Sequence, residues 1–337
     1  MKMIRIGLIG YGNWARQAYL PVLREDKENE IVAAAALTQL TRSRIKNDLG
    51  SGIDIFPNFQ TLVARTKCDA ILISLPDMVH GEAIEAVIDS GIPFFYEPPL
   101  SDLIHRMGRL INNLLKTRQL AHADLELRYI PVVTRIKELL AKGVIGEVQS
   151  TLIKMNGNWD PESGRATSLP YSLIPWYVDV LNTILGNNPR RVFVQNGRLS
   201  NNRMQASAVT QLDYGKVWGT FDANISRFHS PETWVEVSGC DGNLHGDLFT
   251  GEIRLRNRDK PVWKIDQVIP AQRPFAGWPG LRECLGDFLN GVKGQVYTGV
   301  SAKDMIRLQI LSCSAEESID NEAWVTVPSI NNFLDKS

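Results

Sequence analysis

The 337-residue chain lacks the features that mark nucleic-acid-binding, membrane-spanning or disulfide-stapled proteins. Lys and Arg number 37, as do Asp and Glu, so bulk charge favours neither a nucleic acid nor a membrane surface as a partner. No apolar run approaches the ~20 residues that cross a bilayer. The four cysteines are scattered without a C-x-x-C pair, so they indicate neither a disulfide framework nor a zinc motif, and we predict no metal site.

The chain also has no repeat, low-complexity tract or flexible linker. A strand pattern that begins at Met3 leaves no room for a signal peptide and predicts a cytoplasmic protein. A hydrophobic content of 44% and a charged content of 22% are typical of a globular protein, and the length predicts two domains. We expect a nucleotide-binding domain over residues 1–121 and a second domain over residues 122–337.

A glycine-rich turn follows the first apolar run. Residues 4–9 predict a buried strand, and Gly10-Tyr-Gly-Asn-Trp-Ala15 leads from it into a helix pattern. This is the G-x-G-x-x-G/A dinucleotide fingerprint in its required context. The first glycine permits the tight turn, the second lets a pyrophosphate approach the backbone, and the helix N-terminus attracts the phosphates. The predicted cofactor contacts in this turn are Gly10, Gly12, Asn13, Trp14 and Ala15.

The end of the second predicted strand, residues 30–37, lacks the acidic residue that binds the ribose 2′-hydroxyl in NAD-preferring folds. Leu37, Thr38 and Gln39 stand there, followed by Arg42 and Arg44. Without a carboxylate a 2′-phosphate is not repelled, and an arginine can pair with it. We therefore favour NADP(H) over NAD(H), with Thr38 and Arg42 as contacts. The alternative is that both arginines lie on the solvated face of the next helix.

Further strand patterns at residues 69–76, 93–99 and 119–124 alternate with helix patterns at residues 80–90 and 103–117. This alternation predicts an α/β fold, a doubly wound parallel sheet of the Rossmann type that binds ligands at the carboxyl ends of its strands. From residue 191 onward, strand patterns recur with hairpin turns between them, which predicts an α+β second domain with a mostly antiparallel open sheet. The cofactor contacts expected at the parallel strand ends are Leu75, Pro76, His80, Glu97 and Pro98.

The order of these motifs resembles the Gfo/Idh/MocA oxidoreductase family. The resemblance rests on the fingerprint, residues 69–76 with His80, Gly91-Ile-Pro-Phe-Phe-Tyr-Glu-Pro-Pro99, and Arg128-Tyr-Ile-Pro131 followed by Gly143-Val-Ile-Gly-Glu147. It implies an NAD(P)-dependent oxidoreductase that acts on a small molecule such as a sugar or cyclitol. It also implies a homodimer or homotetramer joined through the sheet of the second domain.

Two departures from the motifs of this family bear on the chemistry. In the family's E-K-P segment the lysine lies beside the nicotinamide, but this chain has Pro98 there. In its D-x-G-x-H-x-x-D motif the histidine commonly acts as acid or base, but the aligned segment carries Ser172, Trp176 and Asp179 at the first Asp, His and last Asp positions. A positioned acid–base group contributes ~10²–10⁴-fold to such a reaction, so these losses argue against a standard sugar dehydrogenase.

Three functional hypotheses follow. The favoured one is a reductase of a small conjugated, imine or carbonyl substrate, which would not need the missing lysine. The second is a sugar or cyclitol dehydrogenase with relocated acid–base groups, for which Asp160, Glu162 and Arg165 are candidates. The third is a non-catalytic NAD(P)-binding sensor or subunit. The predicted catalytic residues are Tyr171, Asp179 and Tyr96. Other titratable residues at the predicted site are Tyr177, His122 and Asp124. The predicted substrate contacts are Arg128, Trp159, Trp176 and Tyr177.

Overall fold

The computed structural model describes residues 3–157, 167–197, 207–225, 231–268 and 278–336. The chain divides into two compact units. The first comprises Met1–Asp124, Arg273–Ile306 and Leu334–Ser337, and the second comprises Leu125–Gln272 and Arg307–Phe333. The division differs from the single boundary expected after residue 121, because the first sheet extends to residue 123 and the chain returns to the first unit after residue 272.

Six described strands form a parallel sheet in the first unit, in the order β3-β2-β1-β4-β5-β6. The central strands are buried along almost their whole length, as expected where helices cover both faces of a parallel sheet. The strand order reverses between β1 and β4, which is the switch point at which such sheets bind ligands. The predicted doubly wound sheet is confirmed. The strands are β1 Ile4–Ile9, β2 Asn29–Ala35, β3 Asp54–Phe56, β4 Ala70–Ile73, β5 Phe94–Tyr96 and β6 Ala121–Ala123.

Helices α2 and α7 begin at side-chain caps. The Thr38 hydroxyl accepts a hydrogen bond from Thr41 N at the start of α2, and the Ser168 hydroxyl accepts one from Tyr171 N at the start of α7. A π-helical turn, Ala15–Tyr19, precedes α1. No helix in the described ranges is long and apolar enough to cross a bilayer. The α-helices are α1 Leu20–Glu25, α2 Gln39–Leu49, α3 Phe59–Arg65, α4 Asp77–Ser90, α5 Met107–Lys116, α6 Pro131–Ala141, α7 Leu169–Leu185, α8 Leu281–Val292, α9 Ala302–Asn321 and α10 Ile330–Leu334.

Nine described strands form the sheet of the second unit, in the order β14-β13-β12-β11-β7-β10-β9-β8-β15. Only the β7–β10 pair among them is parallel, so the predicted mostly antiparallel sheet is confirmed. The strands are β7 Val148–Asn156, β8 Arg191–Gly197, β9 Ser207–Asp213, β10 Trp218–Asn224, β11 Glu232–Gly239, β12 Gly242–Asp247, β13 Glu252–Asn257, β14 Lys260–Val268 and β15 Val325–Thr326.

The two faces of this second sheet differ in burial. On β10, Phe221 and Ala223 are buried in the core with side chains of α6 and α7, whereas Thr220 and Asp222 between them are only half-buried. This alternation gives one core face and one open face. Trp218, on the open face, is 50% exposed and lies edge-on to Trp324.

Candidate functional site

The turn after β1 has the backbone geometry that the dinucleotide fingerprint requires. Gly10 has a φ of +93°, in the left-handed region that favours glycine, and its N–H donates to Ala35 O over 3.1 Å. A Cβ at this position would lie 2.0 Å from Ser74 O on the loop after β4. The sequence therefore needs glycine here for both conformation and space.

The second glycine of the fingerprint borders open space. Gly12 is exposed, and a Cβ built on it would meet no atom within 4 Å, so its lack of a side chain serves no internal packing. The helical segment begins directly after it, at Asn13, and Ala15 is buried. The first N–H groups of a helix have no intrahelical partner and bind anions readily. We call the open space over Gly12 and the start of the helix at Asn13 the cradle. This arrangement fits the pyrophosphate of a dinucleotide.

The helical segment that starts at Asn13 is tied to the end of β5. Trp14 Nε1 donates to Glu97 Oε1 over 2.5 Å, and the Tyr19 hydroxyl donates to the same oxygen. Trp14 also packs edge-on against Trp278, with ring centroids 5.6 Å apart. Two residues of the fingerprint helix thus fix a carboxyl group that directly follows a central strand.

A second carboxyl group completes this arrangement. Asp124 directly follows β6, is fully buried, and shares a hydrogen bond with the Glu97 carboxyl group. Burial, followed by the charge and hydrogen bond of Asp124, raises the pKa of Glu97 well above its usual value, although the hydrogen bonds from Tyr19 and Trp14 oppose this shift. A hydrogen bond between two carboxyl groups requires a proton on one of them. The pair therefore binds a proton more tightly than an isolated carboxyl group does.

The remaining residues predicted at the strand ends lie in the same unit. Leu75 is half-buried, and the exposed Pro76 caps α4. His80 is buried on α4, its Nδ1 donates to Pro99 O over 2.9 Å, and burial lowers its pKa to about 4. Pro98 and Tyr96 are buried, and burial raises the pKa of the Tyr96 phenol far above its usual value. At neutral pH the histidine is therefore neutral and the tyrosine protonated.

The end of β2 is organised by an arginine. Arg42 Nη1 donates to Ala36 O over 2.9 Å and to Leu37 O over 2.6 Å, and Nη2 donates to Gln39 Oε1 over 2.9 Å. The guanidinium group is therefore held against the carboxyl end of β2 instead of extending from the solvated face of α2. Thr38 is exposed beside it and caps α2.

In the second unit, Arg128 and Asp179 form a bidentate ion pair. Arg128 Nε lies 2.7 Å from Asp179 Oδ2, and Nη2 bonds the other carboxylate oxygen. The Asp179 side chain is 3% exposed and that of Arg128 is 20% exposed. A carboxylate held in this way orients the guanidinium group, so the geometry gives Asp179 a positioning contact with Arg128, while its predicted acid–base role stays a prediction.

The other α7 residues occupy different environments. Tyr171 is fully buried and hydrogen-bonds the Cys313 thiol. Tyr177 lies in the core, stacked on Phe221 with centroids 5.2 Å apart, so it offers little surface to a substrate, and burial raises the pKa of its phenol. Trp176 is half-buried, and its Nε1 has no hydrogen-bond partner in the described part of the chain. Of these aromatic residues, Trp176 alone retains partial exposure.

Several predicted residues lie outside the described ranges. These are the substrate candidate Trp159 and the three loop candidates Asp160, Glu162 and Arg165. Among the described residues, no group of three or more His, Cys, Asp or Glu side chains forms a potential metal site.

Two family models match this chain. The model described as "Oxidoreductase family, NAD-binding Rossmann fold" matches residues 4–123, and the model described as "GFO/IDH/MocA C-terminal domain" matches residues 133–245, together more than half of the chain. The chain belongs to the Gfo/Idh/MocA family. The resemblance inferred from the motifs is thus confirmed, and the protein is an oxidoreductase-family member with an NAD(P)-binding Rossmann domain.

Several curated relatives carry sugar or cyclitol names. The chain is 26% identical over 147 residues to dTDP-3,4-didehydro-2,6-dideoxy-alpha-D-glucose 3-reductase from Actinomadura kijaniata, covering 44% of each protein. It is 23% identical over 164 residues to inositol 2-dehydrogenase/D-chiro-inositol 3-dehydrogenase from Halalkalibacterium halodurans, covering 48% of this chain and 46% of that one. The chain thus spans about half the length of the curated relatives it matches.

Solved structures match over almost the whole chain. An oxidoreductase from Agrobacterium radiobacter, in complex with NAD+, L-tartaric acid and magnesium, has a TM-score of 0.80 at 17% identity and covers 98% of this chain and 100% of its own. Apo scyllo-inositol dehydrogenase from Lactobacillus casei has a TM-score of 0.79 at 17% identity, with 97% and 99% covered. At this identity, the likeness establishes the shared fold.

Sequence reasoning named Glu97 as a cofactor contact and Asp124 as a titratable group but did not pair them. It missed Tyr19 entirely. The positions of Glu97 and Asp124 in the sequence could have indicated this pairing. Each residue directly follows one of two strands that are neighbours in the parallel sheet. Carboxyl ends of neighbouring parallel strands meet at one edge, so the two side chains could have been expected close together.

Proposed function

We propose that this protein is an NAD(P)H-dependent reductase of a small carbonyl, imine or conjugated substrate, working without the family's usual lysine and histidine. The observation that supports it is the protonation of the groups at the carboxyl end of β5. Burial raises the pKa values of Glu97 and Tyr96, so both hold their protons more tightly than exposed side chains do. Alcohol oxidation needs a base, whereas reduction needs a proton source. Groups that keep their protons favour reduction.

The fingerprint residues would hold the cofactor. Gly12 and Asn13 would contact the pyrophosphate, and Leu75 and Pro76 would border the nicotinamide half beyond the switch point. When bound, the reduced cofactor supplies a hydride, and the protein supplies position and a proton. We further propose that the cofactor is NADP(H), because Arg42 brings a positive charge to the end of β2, where the chain has no acidic residue.

Substrate recognition is assigned to the second unit. Arg128 is fixed by Asp179 yet remains 20% exposed, which suits it to bind a polar or anionic substrate group. Trp176 presents a half-buried aromatic surface and an indole N–H. One relative is named as a reductase of a didehydro sugar, and a keto sugar or keto cyclitol belongs to the proposed carbonyl class. Tyr171 and Tyr177 are less suited to substrate contact because both are buried.

The experiment proceeds in two steps. NADPH and NADH are titrated by fluorescence, and turnover is then measured with a panel containing a keto-inositol, a keto sugar and a cyclic imine. The same panel is run in reverse, with inositols, sugars and NADP+. Reduction of a carbonyl or imine without comparable alcohol oxidation supports the proposal. Oxidation of a polyol at neutral pH as the faster direction would favour the dehydrogenase with relocated groups, and binding without any turnover would favour a sensor.

We also propose that the open face of the second sheet joins subunits into a homodimer or homotetramer. Trp218, Phe193 and Trp324 form an aromatic cluster there, with ring centroids 5.7–5.8 Å apart, and Arg191 lies over the Trp324 ring. Aromatic residues and arginine are enriched in protein interfaces. Mass photometry of Trp218→Asp should give smaller particles than wild type. Leu40→Asp, on an exposed residue of the first unit, is the control, and an unchanged mass for Trp218→Asp would rule out this face.

A further inference from the structure

We propose that the buried Glu97–Asp124 pair is the proton donor of this reductase. The inference rests on the proposed function and names the group that takes over from the missing lysine at Pro98.

The topology puts the pair where the donor is needed. β5 and β6 are neighbouring parallel strands, with Phe95 opposite His122, and the two carboxyl residues directly follow them at the same edge. This edge belongs to the half of the sheet beyond the switch point, and it is the same edge at which the turn after β1 leaves the sheet. The donor residues and the cofactor cradle are therefore part of one strand-end surface.

Direct contacts link the pair to the cradle. Trp14 and Tyr19, both on the helical segment that starts at the fingerprint, donate to the same oxygen, Glu97 Oε1. Asp124 also hydrogen-bonds the Glu97 carboxyl group. Cofactor binding at the start of this helical segment therefore acts on residues that position the donor.

Burial of the pair favours one shared proton. Trp14 and Tyr19, from the helical segment after β1, donate neutral hydrogen bonds to Glu97, and Asp124, from the end of β6, hydrogen-bonds the same carboxyl group. Burial of both carboxyl groups makes a doubly ionised pair costly, and this agrees with the raised pKa of Glu97.

The proposed step balances as follows. The C=O or C=N π bond breaks as its carbon gains a hydride from the reduced nicotinamide and its heteroatom gains the proton of the pair. The substrate is reduced by two electrons, and the cofactor is oxidised by two. The pair is left doubly ionised and regains its proton from water, which restores the starting state.

The direct test needs no substrate. Infrared spectroscopy of the full-length protein in D2O measures the carbonyl stretch of protonated carboxyl groups. We expect wild type to keep such a band at neutral pH, and both Asp124→Asn and Glu97→Gln to lose it, because each removes the partner that forces protonation. The control is Glu85→Gln, on an exposed ion pair with Arg109, which should keep the band. Absence of the band in wild type, or its survival in both pair variants, would overturn the proposal.

The kinetic test separates a donor from a merely structural pair. With whichever panel compound turns over, Asp124→Asn should lower kcat by ~10²–10⁴-fold. The Kd for NADPH should stay within about threefold of wild type. A loss of about 1.4 kcal/mol in binding free energy would already raise this Kd tenfold. The wild-type rate should fall as pH rises, and this dependence should vanish in the variant. A parallel loss of NADPH affinity and rate, with an unchanged pH profile, would instead indicate a structural role. If NADPH does not bind wild type, the proposed function fails while the infrared result still stands.

Discussion

Replacing Gly12 with valine should abolish cofactor binding without weakening the fold. Its backbone is not in the left-handed region, and a Cβ would meet nothing within 4 Å, so the internal cost is small. The added side chain would instead fill the space over the start of the helix, where the pyrophosphate must approach the backbone. We expect the Kd for NADPH to rise at least ~10-fold, or about 1.4 kcal/mol, and the unfolding midpoint to stay close to wild type.

Two other glycines provide matched controls for this variant. Gly50 ends α2 with a φ of +87° and open space around it, so Gly50→Ala measures the cost of the conformation alone, about 1–3 kcal/mol. Gly10→Ala adds a 2.0 Å overlap with Ser74 O, and we expect a total loss of about 2–5 kcal/mol.

Fluorescence titration with NADPH and urea unfolding, applied to all three variants, give the comparison. The expected pattern is lost affinity with normal stability for Gly12→Val, normal affinity with a moderate stability loss for Gly50→Ala, and a larger stability loss for Gly10→Ala. If Gly12→Val binds NADPH as wild type does, the open space above this turn is not the phosphate site. The assignment of the cradle would then be refuted, even though the fold is unaffected.

Three further changes test other parts of the structure. Arg42→Ala should weaken NADPH more than NADH in the same titration, whereas Arg44→Ala, two residues along α2, should change neither; equal losses for both cofactors would count against NADP(H). Asp179→Asn should lower the free energy of unfolding by about 2–4 kcal/mol, because it leaves Arg128 without its bidentate partner, and a urea midpoint equal to wild type would contradict this. His80 has its pKa lowered from 6.5 to about 4 by burial, so the unfolded state binds more protons between these values and stability should fall as pH drops through this window. His80→Gln should flatten that slope in urea unfolding measured from pH 4 to pH 7.

The pH dependence from Glu97 has the opposite sign. Its folded pKa lies above the ordinary value of 4.5, so the folded state holds the proton more tightly than the unfolded state. The resulting stabilisation is complete below pH 4.5 and is lost as pH rises through the raised pKa. As pH rises, the His80 contribution increases the free energy of unfolding and the Glu97 contribution decreases it. Single variants are therefore needed to separate the two contributions.

Much of the candidate cofactor site could be predicted from the sequence because it depends on local chain chemistry. The fingerprint needs Gly10 for its left-handed turn and Gly12 for its open surface, and both requirements are read directly from residue type and order. Alternating strand and helix patterns likewise predicted the parallel sheet, because burial of both faces leaves continuous apolar runs. The substitution of Pro98 for a lysine was equally visible, since it follows from residue identity.

What the tertiary structure alone decided is which polar groups share a proton or a charge. Glu97 and Asp124 are 27 positions apart in the sequence, and nothing local to either residue predicts their hydrogen bond. Asp179 has the residue type of a catalytic acid, and only the fold shows that it pairs with Arg128 from a distant segment. Charge and proton sharing depend on distance and burial, and both are set only when separate segments pack together.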